Sequence, residues 1–402
     1  MRSAALSHVR VLDLSRVLAG PWATQVLADL GAEVIKVERP GAGDETRGWG
    51  PPWVGPGGAA ARESAYFASA NRGKRSVTID LSRPEGQALV RRLAARADVL
   101  FENHKAGALA RRGLGWEELA ALNPRLVYCS ISGFGQSGPY RDRPGYDFLV
   151  QAMGGLMSVT GEPDGPPTKV GVAVTDLLTG MYAATAVLAA LAERERSGLG
   201  QHVDLALLDV QVAALANQAE SFLVTGRAPG RLGNAHPSIV PYQAFRTRDG
   251  HVVVAVGNDA QFARLAEAMG RRDLAADPRF STNAARVAHR EALVAAMAPL
   301  LAARDTEAWV RALDAADVPA GPINDLAQVF EDPQVRHRGL RVEVPRADGA
   351  PVPVVASPIR LSRTPVEHRP PPRLGEHTRE VLVEVLGMEE EEVEALGRAG
   401  VI

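Results

Sequence analysis

The sequence predicts an α/β fold with a parallel sheet and a smaller α+β domain. Three observations carry this. β-type runs alternate with helical runs over the first 135 residues, which calls for right-handed crossovers between parallel strands. A Gly- and Pro-rich stretch, TGRAPGRLGNAHPSIVPY at 225–242, reads as a loop or linker. Beyond it the pattern changes to a hairpin, AFRTRDGHVVVAV with an Asp-Gly turn, followed by amphipathic helices to about Ala315.

Taken in order, VRVLDLS is a strand, and PWATQVLADLG is a helix with Pro21 in its first turn and Gly31 as its stop. AEVIKVE is a second strand ending at Glu38. SVTIDL, the helix PEGQALVRRLAARA, DVLFEN, the helix GWEELAALN and LVYCSISGF continue the alternation. One long helix is expected from Asp176 to about Glu195, then a strand entering another helix from Gly200. After Pro319 the chain is expected to be irregular until TREVLVEVL and the acidic MEEEEVEALGRAG, both helical. The expected domains are a Rossmann-like large domain at 1–200, a linker or helical arm at 201–235, a small domain at 236–320, and a return segment at 321–402 completing the large domain.

Composition excludes several classes. Of 402 residues 46% are apolar and 23% charged, which is globular, and a net charge of -2 argues against nucleic-acid binding. The single Cys129 forbids an internal disulfide, and its apolar setting reads as a buried strand thiol. The N-terminus lacks the apolar core of a secretory signal. The longest apolar run, Leu177–Ala192, is broken by Thr179, Gly180 and Thr185 and is shorter than the ~20 residues of a membrane span. The expectation is a soluble, cytoplasmic protein.

Asp176 is the one charged residue between Lys169 and Glu193. An ionised carboxylate away from water is costly unless compensated. Two readings stand: a helix N-terminal acid held by the dipole, or a desolvated nucleophile. The opening β-α-β unit with Glu38 ending its second strand invites a dinucleotide site, but SRVLAGPWA lacks the glycines that admit a pyrophosphate. That turn still presents amides at a helix N-terminus to a ligand phosphate or carbonyl. Arg39, Arg47, Lys74, Arg75, Arg111, Arg112 and Arg143 lie near strand ends and as a set suit a phosphorylated ligand such as coenzyme A. The nine histidines form no metal pattern, and neither a G-x-S-x-G elbow nor a P-loop is present.

DLSRVLAGPWATQVLADLGAEVIKVERPGAGDETRGW, SANRGKRSVTIDL, LFENHKAGALARRGLG, SISGFGQSGPYRDRPGYDFLVQAMGG and VTDLLTGMYAATAVLAAL resemble the class III CoA-transferases. This is the group of formyl-CoA transferase and carnitine CoA-transferase. The resemblance continues through GLGQHVDLALLD, GNAHPS, VPAGPIND and LGEHTREVL, so it covers nearly the whole chain.

The resemblance implies that Asp176 is the nucleophile. It implies coenzyme A contacts at Val17, Leu18, Ala19, Arg39, Ile79, Asn103, His104 and Arg111. Leu18 replaces the glutamine of formyl-CoA transferase, and Tyr146-Asp147 replaces a Tyr-Glu pair near that enzyme's acceptor site; both departures argue against formate and oxalate. A glycine-rich loop in relatives corresponds to Gly233–Ser238, where His236 and Pro237 replace glycines; Asn234 and His236 are its candidate substrate residues. The acyl-CoA is implied as substrate, with no permanently bound cofactor, no metal, no membrane and no nucleic acid. An interlocked homodimer is implied too. GFGQSGP, GYDFL and HPSIVPY resemble the members that use dicarboxylates such as succinate. Related α-methylacyl-CoA racemases pair the same aspartate with a histidine where this chain has Tyr146. Racemisation of a 2-methylacyl-CoA therefore ranks second, and a catalytically silent CoA-binding protein third.

Overall fold

A computed structural model describes residues 4–55, 63–346, 349 and 351–402. The chain forms two compact units, Met1–Gly155 with Val170–Ala219 and Gln334–Ile402, and Leu156–Lys169 with Glu220–Pro333. These differ from the expected domains. The segment expected to link them begins with a strand of the large sheet, so 201–219 stays with the first unit, while 156–169 joins the second.

In the first unit the predicted alternation is realised. β1 (Arg10–Asp13), α1 (Ala19–Asp29), β2 (Glu33–Glu38), α2 (Ala65–Ala70), β3 (Lys74–Thr78), α3 (Pro84–Ala94), β4 (Val99–Glu102), α4 (Trp116–Leu122), β5 (Val127–Ser132) and α5 (Asp147–Met153) follow in sequence. A short helix α6 (Leu156–Val159) belongs to the second unit. The first resumes with α7 (Val174–Ser197), β6 (His202–Ala206) and α8 (Leu207–Ala214).

The six strands are all parallel in the order β3-β2-β1-β4-β5-β6. Both faces of such a sheet are covered, and its strands are apolar on both sides. Leu12, Ile35, Leu100 and Tyr128 pack one face against Leu89 and Leu93 of α3. Val11, Val34, Val99, Val127 and Cys129 pack the other against Ala23 and Leu27 of α1 and Ala183 and Val187 of α7. Cys129 is fully buried, which pushes its thiol up and leaves it an inert strand residue, as expected. The order reverses between β1 and β4, and ligands in such sheets enter at the carboxyl ends of the strands at that reversal.

Helix α7 is 24 residues long, exceeding the apolar run that marks it, and is long and apolar enough to cross a bilayer. Its buried face, Thr179, Gly180, Ala183, Ala184, Val187 and Leu191, serves instead as a core surface. The C-terminal return is more ordered than expected. It forms a hairpin, Arg341–Val344 with Val352–Val355, and the helix Thr378–Leu386, whose LGEHT entry covers the sheet edge at β3. There His377 Nδ1 accepts the Ser76 N–H at 3.3 Å and Thr378 Oγ1 accepts the Thr78 N–H at 3.0 Å.

The second unit holds the predicted hairpin, Tyr242–Arg246 with His251–Ala255, joined antiparallel by a third strand, Ala320–Pro322. That strand falls in the stretch expected to be irregular. It is only three residues long and includes Gly321 and Pro322, so no alternating pattern announces it. Helices between Asp259 and Ala315 enclose its core of Val252, Val254, Phe262, Leu293 and Trp309.

Candidate active site

The turn from β1 into α1 is held in an unfavourable backbone conformation. Val17, a β-branched residue, sits at φ 69°, in the left-handed region. Such strain persists only where surroundings over-determine it, and it concentrates at functional sites. Here the surroundings are explicit. Asn103, just after β4, accepts the Arg16 N–H at 2.8 Å and donates to the Arg16 carbonyl at 2.6 Å. Asp44 accepts the Val17 N–H at 3.3 Å. Asp44 is itself fixed by Lys36 Nζ at 3.0 Å, and Lys36 also donates to the Ser15 carbonyl at 2.9 Å. On the other side Asp13 accepts from Ser15, from Thr24 Oγ1 at 2.6 Å and from Lys74 Nζ at 3.0 Å. Burial raises the Asp13 pKa, but the two lysines and the hydroxyls outweigh it and hold the carboxyl at about 2.

Helix α7 delivers Asp176 to this turn. Gly180 makes the approach possible: a Cβ there would lie 2.7 Å from the Ala19 carbonyl oxygen and 3.0 Å from Trp22. The start of α7 therefore lies against the start of α1. Asp176 stands in the first turn of α7, yet it is not the residue that caps it. Asp147, the first residue of α5, does so from outside: its Oδ1 accepts the N–H of Thr175 at 2.9 Å and of Asp176 at 3.4 Å. Gln151 Nε2 holds the other oxygen at 2.7 Å.

This corrects the expectation that the helix end keeps Asp176 ionised. Burial, and then the like charge of Asp147, push the Asp176 carboxyl up to about 7. The same carboxylates, after burial, push the Tyr66 phenol up to about 12, so it stays protonated. Tyr66 packs edge-on against Trp49, with ring centroids 5.1 Å apart.

A cavity of about 410 Å³ opens on Asp176. Its wall includes Val17, Leu18, Ala19, Asn103 and His104, five of the eight residues implied as coenzyme A contacts, together with Tyr146. A second cavity, about 580 Å³, shares Arg16, Glu45 and His104 with the first and is lined by Arg39, Ile79 and Arg112. The second lies beyond the shared residues, at the carboxyl ends of β2 and β3. Burial, Arg16 and Arg112 hold His104 down at about 4, so a neutral imidazole faces both cavities.

Arg111 lines neither and is exposed, whereas its neighbour Arg112 lines the second cavity. Asn103 spends its amide on the Arg16 backbone, so its role is to shape the turn. Three of the candidate anion-binding cations are structural. Arg47 is buried and grips Glu38 with two bonds of 2.7 Å while stacking on Phe67, Lys74 pairs with Asp13, and Arg75 pairs with Glu33, Glu380 and Glu384.

Asn234 and His236 belong to the second unit. The His236 ring lies 5.4 Å from Tyr242, and Arg290 donates to the carbonyls of His236 and Pro237 at 2.7 and 3.0 Å, which fastens that loop within its own unit. Sequence reasoning missed Tyr66, Trp49, Arg16 and Lys105. No periodicity or charge motif marks them; only the fold brings them to the Asp176 cavity or its carboxylates. Among the described residues no cluster of His, Cys, Asp or Glu suits a metal ion.

Known proteins agree with this architecture. A family profile described as CoA-transferase family III matches residues 6–378. Succinate--glutarate CoA-transferase of Agrobacterium fabrum is 53% identical over 385 residues, 96% of each chain. Succinyl-CoA:glutarate CoA-transferase of Homo sapiens is 44% identical, covering 99% of this chain and 90% of that one. The crystal structure of a CAIB/BAIF family protein from Brucella suis superposes with a TM-score of 0.85 at 47% identity, covering 96% of this chain and all of that one. With the cavity at the strand reversal and a profile match across nearly its whole length, the chain belongs to CoA-transferase family III.

Proposed function

We propose that this enzyme moves coenzyme A between dicarboxylic acids, with a succinyl-CoA-type thioester as donor, and that Asp176 is its nucleophile. The observation that carries the reading is the desolvated, basic Asp176 carboxyl facing a cavity walled by the β1–α1 turn. The names of the similar proteins from Agrobacterium fabrum and Homo sapiens support the dicarboxylate part.

The Asp176 carboxylate attacks the thioester carbonyl. The C–S bond breaks, giving a mixed anhydride and coenzyme A thiolate. The thiolate then attacks the aspartyl carbonyl, the anhydride C–O bond breaks, and the donor acid leaves from an aspartyl-CoA thioester. The acceptor carboxylate runs the same two steps in reverse and restores Asp176. Each addition develops an oxyanion, and the Leu18 and Ala19 N–H groups, on residues that line the cavity just after the strained turn, are the candidate donors, since the Arg16, Val17, Thr175 and Asp176 N–H groups are held by Asn103, Asp44 and Asp147. The acyl-transfer energy of the thioester is retained in the anhydride and returned to a thioester, so no nucleotide hydrolysis is needed.

Val17, Leu18, Ala19 and His104 would line the path of the thioester arm, and Arg39, Ile79 and Arg112 the nucleotide end. The working enzyme is proposed to be a cytoplasmic homodimer with no tightly bound cofactor and no membrane or nucleic-acid partner. Borohydride trapping during turnover, followed by peptide mass analysis, tests the nucleophile. A reduced Asp176 side chain is expected; an unmodified peptide under demonstrable turnover refutes the covalent route. Deuterium entering the α-carbon from heavy water without acyl exchange would favour racemisation. Coenzyme A binding that survives Asp176→Ala, with no exchange by the parent protein, would favour a silent binder.

A further inference from the structure

The cavity at Asp176 must recognise more than a thioester if its substrates carry a second carboxylate. Four cations line it: Arg16, Lys105, Arg141 and Arg143. Arg16 is engaged by Glu45. Lys105, Arg141 and Arg143 are all exposed, but Lys105 and Arg141 stand equally on a neighbouring 250 Å³ cavity. Arg143 differs from all three. Its guanidinium lies over the Tyr140 ring at 4.5 Å and near the Phe134 ring at 5.5 Å, and among the described residues no carboxylate pairs with it, although Asp142 lines the same cavity. Stacking occupies the face of the guanidinium plane and leaves its N–H edge free, which is the edge that binds a carboxylate with two parallel bonds.

The loop that carries Arg143 is built to hold a position. It leaves β5 at Gly133 and returns at Gly145, where the two backbones touch: a Cβ on either glycine would lie 2.5–2.6 Å from the other's Cα. Gly135 N–H donates to Ser132 Oγ at 2.8 Å, and the Gly133 carbonyl accepts the Leu208 N–H at 3.1 Å. Arg143 N–H closes a turn on the Tyr140 carbonyl at 2.9 Å. So the cation sits two residues from a pinned base, on the wall of the cavity that Asp176 also lines. A sphere of 410 Å³ is about 9 Å across. With C–C bonds of about 1.5 Å, the two carboxyl carbons of glutarate are roughly 5 Å apart, so both ends fit within it.

Resting on the dicarboxylate reading above, we propose that Arg143 is the specificity-determining residue that binds the substrate carboxylate not undergoing transfer. Donor and acceptor acyl groups occupy the cavity in turn, so Arg143 serves both.

The test compares the full-length parent, Arg143→Gln and Arg143→Lys, with glutarate and butyrate as acceptors and mass detection of the acyl-CoA formed. Affinity for free coenzyme A is measured alongside. Losing a charged hydrogen-bond pair is worth roughly 10–100-fold. The ratio of kcat/KM for glutarate over butyrate is expected to fall by that factor in Arg143→Gln and to recover in part in Arg143→Lys. Coenzyme A affinity is expected to stay at the parental level. An equal loss for both acids, a fall in coenzyme A affinity with the ratio kept, or a parent that does not distinguish the acids each overturns the proposal. The Asp176 adduct separates this from failure of the wider reading: Arg143→Gln still forms it from butyryl-CoA, whereas a parent lacking it sinks the covalent route whatever Arg143 does.

Discussion

Replacing Asp176 by asparagine is expected to abolish transfer and, at alkaline pH, to stabilise the fold. The magnitude follows from the site. An unfolded aspartate ionises near 3.8, whereas burial, followed by the Asp147 charge, brings the folded one to about 7. Below about pH 4 both states are protonated, and the residue carries no differential cost. Between about pH 4 and 7 the unfolded chain releases its proton first, so stability falls as pH rises. Above about pH 7 the whole penalty is present, roughly three pH steps of ~1.4 kcal/mol, or about 4 kcal/mol as an upper figure. Asparagine removes the charge at nearly constant volume. For a chain this long each kcal/mol moves Tm by roughly 1–2 °C, so a gain of roughly 5 °C at pH 8.5 should shrink to nearly nothing at pH 4.5. Calorimetric scans of both proteins across that range measure it. A pH-independent difference, or a variant less stable than the parent at pH 8.5, would show that the ionised carboxylate is well solvated or paired and that the argument from desolvation is wrong.

Other perturbations separate the parts of the site. Asp147→Asn removes the neighbouring charge while keeping an acceptor for the start of α7; the acid limb of kcat/KM, expected near pH 7, should move to lower pH with stability changed by no more than about 1 kcal/mol. Gly180→Ala puts a Cβ 2.7 Å from the Ala19 carbonyl oxygen, so α7 must back away from α1; a cost of about 1–3 kcal/mol in denaturant melts and a fall in kcat on the order of 100-fold are expected. Arg47→Ala strands the buried Glu38 carboxylate and should destabilise by about 3–5 kcal/mol. Arg39→Ala, at an exposed cavity position, should instead raise KM for the acyl-CoA roughly tenfold with Tm unchanged.

The contrast between Arg39 and Arg47 marks where reading the sequence runs out. The alternation that gives the sheet is local and strong, and β4 and β5 are legible as near-continuous apolar runs because a parallel sheet is buried on both faces, whereas β3, KRSVT, is legible only by its place between helices. Asp176 was legible because a lone charge in such a run needs an explanation. The basic residues were not separable, since Arg47 and Lys74 look like Arg39 in one dimension and differ only in meeting Glu38 and Asp13 in three. The same limit hid the capping of α7. Asp147 lies 29 residues before Asp176, and nothing in either segment says that one carboxylate accepts the other's N–H. Hence a charge expected to be stabilised by its helix is destabilised, first by burial and then by a neighbour that holds the favourable position.

That arrangement has a chemical use. Asp147 receives the free N–H groups at the head of α7, which leaves Asp176 as the carboxylate with the poorer compensation. If Asp176 is the nucleophile, as proposed, this placement makes it more basic than an ordinary aspartate. As an anion it carries a penalty, relative to an ordinary aspartate, that any state without the charge does not carry. Acylation is such a state: once Asp176 carries an anhydride or a thioester, both the desolvation penalty and the repulsion from Asp147 vanish. Up to about 4 kcal/mol of that strain is released along the reaction, enough for roughly a thousandfold in rate if all of it is realised at the transition state. The strained Val17 turn would supply the complementary half: Asp44 and Asn103 hold the Val17 and Arg16 N–H groups, which fixes in advance the backbone that presents the following Leu18 and Ala19 N–H groups to the cavity. On this reading the buried ion network beneath the turn, Asp13, Lys36, Asp44 and Lys74, exists to hold backbone in place rather than to touch substrate, which is why its members are fully buried and mutually satisfied.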